Sequence, residues 1–180
     1  YLAAGTAGLY VIDVSVPSAP VLVGSHGGGP GEARNVKVMG NYAYLANGDQ
    51  GLYVFDVSVP SSPVLVGQYD TPGYAYVVKL FGQKAYIADR WGGVVVVDVS
   101  VPGQPVWAGY YPAANEVYGI ATDGEYMYVA DYGNSRLAVV NRKTLEVLYQ
   151  FGKRSAAPGD FQGLHNLAAD DHRGMNAKDV

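Results

Sequence analysis

Between Asn35 and Tyr69 the chain reads NVKVMG, NYAYLA, GLYVFDVS and PVLVGQY, four short runs in which apolar or aromatic residues alternate with polar ones or stand unbroken. Alternation of this kind in β-branched and aromatic residues predicts strands, and the Gly, Asn, Asp and Pro clusters between the runs predict tight turns. No window carries the apolar stripe of an amphipathic helix.

The four runs recur. GLYVIDVSVPSAPVLVG, GLYVFDVSVPSSPVLVG and GVVVVDVSVPGQPVWAG begin at Gly8, Gly51 and Gly93, so Asp13, Asp56 and Asp98 stand 43 and 42 residues apart. Asn141 opens a degenerate fourth copy, NRKTLEVLYQFG, at the same step. Four strands per repeat, at a period of about 40 residues, is the signature of a β-propeller, whose blades cover their apolar faces only against like neighbours. The fold class is therefore all-β, a propeller of four-stranded antiparallel blades, with about four blades in this chain. Residues 1–180 read as one domain, with blades at approximately 1–25 plus 163–170, 34–69, 76–111 and 118–151. The chain opens on a second strand, and its last run, LHNLAAD, reads as a first strand. A ring of four blades closes if that strand completes the first blade. A fragment of a larger propeller, or an arc completed by another copy, fits the same tally.

In each DVSVP the Asp ends the third strand, where its carboxylate can accept N–H groups of the following turn. The prolines after it stiffen the approach to the outermost strand, an edge on which proline is tolerated. These acids are turn residues rather than catalytic ones.

Composition narrows the function further. A net charge of −4 and a pI near 5.2 offer no phosphate-binding surface, so no nucleic-acid partner is expected. The absence of cysteine excludes disulfides, thiolate zinc sites and cysteine nucleophiles. No apolar run is long enough for a membrane span. The start at YLAAG, without an initiator Met, is what a removed leader or a longer parent protein would leave.

The DVSVP units, from Tyr1 to Gly109, resemble LVIVD repeats, which occur in bacterial and archaeal propellers that are often exported. The fourth unit and the tail FGKRSAAPGDFQGLHNLAADDHRG are more similar to NHL-type propeller repeats. The resemblance implies a prokaryotic protein of the extracellular space, periplasm or cell surface. With repeats so regular and no complete catalytic set, it also implies a non-catalytic module that binds a protein, peptide or glycan.

In a propeller the entries to the innermost strands share one face with the loops joining second and third strands. Alignment of the units puts Arg34, Tyr76, Tyr118 and His165 in one column, with Glu32, Tyr74, Glu116 and Gly163 two residues earlier and pointing the same way. The adjacent loops supply Asn47, Asp49, Asp89, Arg90, Trp91, Asp131, Tyr132 and Asn134. Packing makes repeats converge, and here they diverge in polar residues. Glu32, Arg34, Tyr74, Tyr76, Trp91, Glu116, Tyr118 and His165 are accordingly the candidate ligand-binding residues at the channel mouth. Tyr and Trp offer flat area with a hydrogen-bonding tip, and Arg34 can hold a carboxylate bidentately. The structural alternative is that Arg34 pairs with Glu32 or Glu116 while the tyrosines plug the channel.

Chemistry beyond binding finds little footing. In NHL-like propeller lyases, histidines at inner-strand entries bind zinc, and His165 in LHN resembles one of them. The matching positions are Arg34, Tyr76 and Tyr118, and a lone imidazole is not a zinc site. The loop carboxylates Asp49, Asp89 and Asp131 lack the oxygen density of a calcium loop. No catalytic residue, metal or other cofactor is expected, with zinc or calcium as the alternatives. HGGGPG at His26 has the form of an oxyanion loop, but no G-x-S-x-G elbow accompanies it. Two other functions stay open: a metal-dependent hydrolase or lyase with further ligands from elsewhere, and a surface protein that self-assembles through open blade edges.

Overall fold

A computed structural model describes residues 1–113, 116–153 and Leu164. Four antiparallel sheets follow one another along the chain. The first holds β1 (Leu2–Ala3), β2 (Leu9–Asp13) and β3 (Val21–His26). The second holds β4 (Asn35–Met39), β5 (Tyr42–Ala46), β6 (Leu52–Asp56) and β7 (Val64–Tyr69). The third runs from β8 (Val77–Phe81) through β9 (Lys84–Ala88) and β10 (Val94–Asp98) to β11 (Val106–Tyr111). In the fourth, β12 (Val117–Thr122), β13 (Tyr126–Asp131), β14 (Arg136–Asn141) and β15 (Val147–Phe151) keep the same order, with one 3-10 turn at Tyr132–Asn134. Within each sheet every strand pairs with its neighbour in sequence, as in the blades of a propeller. The innermost strands β4, β8 and β12 lie side by side, and β1 packs near β4. Of the run at 163–170, expected to complete the first blade, only Leu164 is among the described residues.

Three cores fill the spaces between the four sheets, which is why the third strand of each repeat is apolar without interruption. On β6, Tyr53 and Phe55 join Leu9, Ala43 and Leu45 in the core between the first and second sheets. Their neighbours Leu52 and Val54 point the other way, to Val78, Ile87 and Val97 of the third sheet. Val94 and Val96 pack with Ile120, Met127, Val129 and Val140 between the third and fourth. Leu52 is fully buried, a burial that contributes about 2 kcal/mol.

The repeated turn is a two-part clasp. Asp13, Asp56 and Asp98 accept the backbone N–H of Ser15, Ser58 and Ser100 at 2.8, 2.8 and 2.9 Å, and Asn141 accepts that of Lys143 at 2.9 Å, so the degenerate copy keeps the turn chemistry. The turn so shaped rests on the preceding blade. A Cβ at Gly24 would meet the Pro60 carbonyl oxygen, and one at Gly67 would meet that of Pro102. At Gly109 the neighbour is the Leu145 side chain. Each of these glycines sits at a β-bulge of an outer strand, opposite Val11, Val54 and Val96. DVSVP and the glycine downstream of it therefore repeat together, because each turn needs a side-chain-free notch on the blade before it. His26, read from the sequence as a loop residue, instead closes β3 and packs its ring 4.9 Å from that of Phe55.

Candidate functional site

The loop between second and third strands of one blade reaches over to the inner-strand entry of the next. Gly5 bridges to Ala33, Gly48 to Ala75 and Arg90 to Val117 through the backbone. The bridging residue is left-handed each time, with φ of 59°, 59° and 45°. Glycine takes that conformation freely, whereas a side chain costs about 1–2 kcal/mol there. Arg90 stands where the first two repeats have glycine and the fourth has Tyr132, and its side chain goes straight into the candidate cluster.

The described candidate residues converge. Arg34 donates from Nε to the Tyr74 hydroxyl at 2.9 Å and from Nη2 to Glu32 Oε2 at 2.8 Å, while Tyr74 donates to the same carboxylate oxygen at 2.7 Å. Arg90 Nη2 donates to Glu116 Oε1 and to the Tyr118 hydroxyl, both at 2.8 Å. The two triads are joined through rings. The Arg34 guanidinium lies 5.5 and 5.6 Å from the centroids of Tyr74 and Tyr76, and that of Arg90 lies 4.2 Å from Trp91, 5.1 Å from Tyr118 and 5.6 Å from Tyr74. Tyr76, Tyr118 and Tyr132 stack edge to face at 5.1 Å steps. Trp91 packs edge-on to Tyr74 and stays 59% exposed. In β12 the inner column shifts slightly: Tyr118 falls at a bulge inside the strand rather than before it.

Electrostatically the cluster balances two guanidiniums against two carboxylates. The hydrogen bond to Tyr74 holds Arg34 charged beyond its ordinary range. Burial and donation to Glu32 push the Tyr74 phenol up. Arg34 thus pairs with Glu32, and Glu116 is taken by Arg90. The Arg34 Nε and Nη2 donors that would hold a ligand carboxylate bidentately are already in use. Both ion pairs are partly exposed, and such pairs contribute only about 0–1 kcal/mol. The sheet cores, not this network, hold the fold. Two buried polar atoms on this face, Asn47 Oδ1 and Arg90 Nε, have no hydrogen-bond partner among the described residues.

The position of Arg90 within the site was not singled out from the sequence, although the signal is there. AGTAG, NGDQG and DRWGG align, and Arg90 replaces a glycine. His165 lies outside the described residues. The three loop carboxylates do not come together. Asp89 is fully buried and accepts the Thr71 hydroxyl and the Gly73 N–H, the latter at 2.7 Å. Asp131 takes Arg136 Nε at 2.7 Å. Asp49 lines a separate shallow concavity with Gln50, Tyr53, Gln68 and Asp70. Among the described residues no group of three His, Asp or Glu converges as metal ligands would.

Compared with known families, the chain matches the model of the LVIVD repeat over residues 1–26, 30–71, 72–112 and 116–140. The match enters the fourth unit through most of β14. No curated protein matches. Among solved structures, the β-propeller domain of Myceliophteria thermophila Cps50 (Swd1) is similar at 14% identity and TM-score 0.68, over 91% of this chain and 57% of that one. Two computationally designed proteins are also similar. Ika8 aligns at 14% identity and TM-score 0.60, over 83% of this chain and 44% of its own. Ika4 aligns at 15% identity and TM-score 0.59, over 83% and 86%. The chain spans about half the length of the first two, and at these identities the likeness is one of fold.

Proposed function

Because the chain belongs to the LVIVD-repeat family of β-propellers, we propose that it is a non-catalytic recognition module that takes a protein, peptide or glycan at the channel-mouth face. The observation that carries this reading is Arg90. A residue placed in a left-handed bridge, where the first two repeats have glycine, costs stability that its partly exposed ion pair does not return in full. Such strain is characteristic of functional positions. The exposed face of Trp91 and the unpartnered Arg90 Nε and Asn47 Oδ1 support the same reading. With both guanidiniums neutralised, the ligand surface is one that stacks on Trp91 and hydrogen-bonds to neutral groups. A location outside the prokaryotic cytoplasm is part of the proposal and rests on the resemblance of the repeats. The NHL-like reading of the fourth unit and the tail is likewise only part of the proposal, and the LVIVD match takes in residues 116–140 of that unit.

Trp91 fluorescence tests it. Trp107, the other tryptophan, is exposed on β11, so Trp107→Phe leaves Trp91 as sole reporter. The expected result, on titrating a panel of neutral oligosaccharides and of short peptides, is saturable quenching by at least one member. Arg34→Ala with Tyr118→Ala should weaken that binding at least tenfold at an unchanged melting temperature. Failure of the whole panel, or a large loss of stability in the double variant, would assign these residues to plugging the channel.

A further inference from the structure

The clasp between blades has a donor and an acceptor, and the two ends of the series differ in which they leave unused. The donor is the DVSVP turn. Val57 and Val99 are buried at 4% and 2% exposure against the blade before them, and Pro63 and Pro105 are buried with them. Their counterparts in the first sheet, Val14 and Pro20, lie open, Val14 at 63%. The acceptor is the glycine notch. Gly24, Gly67 and Gly109 are each filled by the next blade of the chain. In the fourth sheet the equivalent residue is Tyr149, which pairs with Val139 at the same bulge as Gly67 with Val54. Its ring stands 74% exposed where a following turn would rest.

We propose that the turn face of the first sheet docks on one further blade of this repeat type, bearing glycine at its notch, and that Tyr149 ends the series at the other side. Continuity with the interface already repeated along the chain argues for this occupant. A second copy is not it, because all three notches of the described chain are filled from within. A regular clasp between the fourth sheet and the first is blocked by the Tyr149 ring. The arrangement also stops copies from adding head to tail, an open-ended contact that otherwise grows fibres.

Two constructions test the donor and the cap. A duplicate of residues 30–85 placed before Tyr1 supplies both a notched blade and the inner strand of the first sheet; a duplicate of 72–85 supplies the strand alone. The longer extension should raise the melting temperature by several degrees over the shorter, and Gly67→Tyr in the added copy should remove most of that gain. Equal melting temperatures for the three would overturn the docking. For the cap, native mass spectrometry should find the unextended protein monomeric, while Tyr149→Gly should form concentration-dependent oligomers that Val14→Asp returns to monomer. A monomeric Tyr149→Gly protein would overturn the capping role. Wild-type oligomers dissolved by Val14→Asp would hand the face to a second copy and overturn the proposed occupant.

Discussion

Asp89→Asn isolates a penalty that the fold carries at neutral pH. The Asp89 side chain is fully buried, and burial pushes its carboxyl up to about 6 from an ordinary 3.8, against the Thr71 and Gly73 hydrogen bonds that favour the anion; Asp70 adds to the rise. An acid whose folded value is raised stabilises the fold while protonated. That stability is complete below pH 3.8 and is lost as pH rises through about 6. Two units at 1.36 kcal/mol each make the carboxylate cost about 3 kcal/mol at pH 7.5, as an upper bound. Asparagine stays neutral, and its amide can accept from Gly73 while donating to a rotated Thr71 hydroxyl. The molecule already places a neutral amide one blade earlier, where Asn47 is buried at the equivalent position and donates to the Gly28 carbonyl at 2.8 Å, although its Oδ1 accepts nothing among the described residues. The assay is urea unfolding of both proteins between pH 4 and 7.5. Any constant cost of the amide cancels in the difference, which should swing in favour of the Asp89→Asn variant by about 1–3 kcal/mol from the acid to the neutral end. A difference that stays flat across this range would refute the reasoning.

Two further substitutions probe the site and the clasp. Arg90→Gly relieves about 1–2 kcal/mol of left-handed strain and loses a partly exposed pair worth about 0–1 kcal/mol and some chain entropy, so stability should stay within about 1 kcal/mol of wild type while Trp91-reported binding disappears. A loss above about 3 kcal/mol by chemical denaturation would make Arg90 a structural clamp instead. Gly67→Ala drives a methyl into the Pro102 carbonyl and should cost about 1–3 kcal/mol, whereas Gly27→Ala, with no atom within 4 Å of its Cβ, should leave the melting temperature unchanged. Equal melting temperatures for the two would rule out the notch.

The strands and turns were legible because their causes are local. Alternation in NVKVM and YAYLA decides which faces strands show, and the Asp of DVSVP closes its own turn two residues on. The period was enough for the propeller, since a two-faced blade has no other way to cover itself. The candidate columns were also readable, because inner strands in register carry equivalent residues to one height. What the chain did not disclose is pairing across blades. Glu116 pairs with Arg90, which a left-handed bridge carries over from the neighbouring blade's loop, while Arg34 pairs with Glu32 beside it. Likewise nothing in VLVG itself discloses that the following blade's turn fills the space above its glycine. Sequence by itself determined the blade and its repetition, since those follow from backbone hydrogen bonding and residue alternation within about 40 positions. Only the tertiary structure decided that Arg90 meets Glu116 and which notch receives which turn, since those contacts join different blades and depend on how the sheets pack.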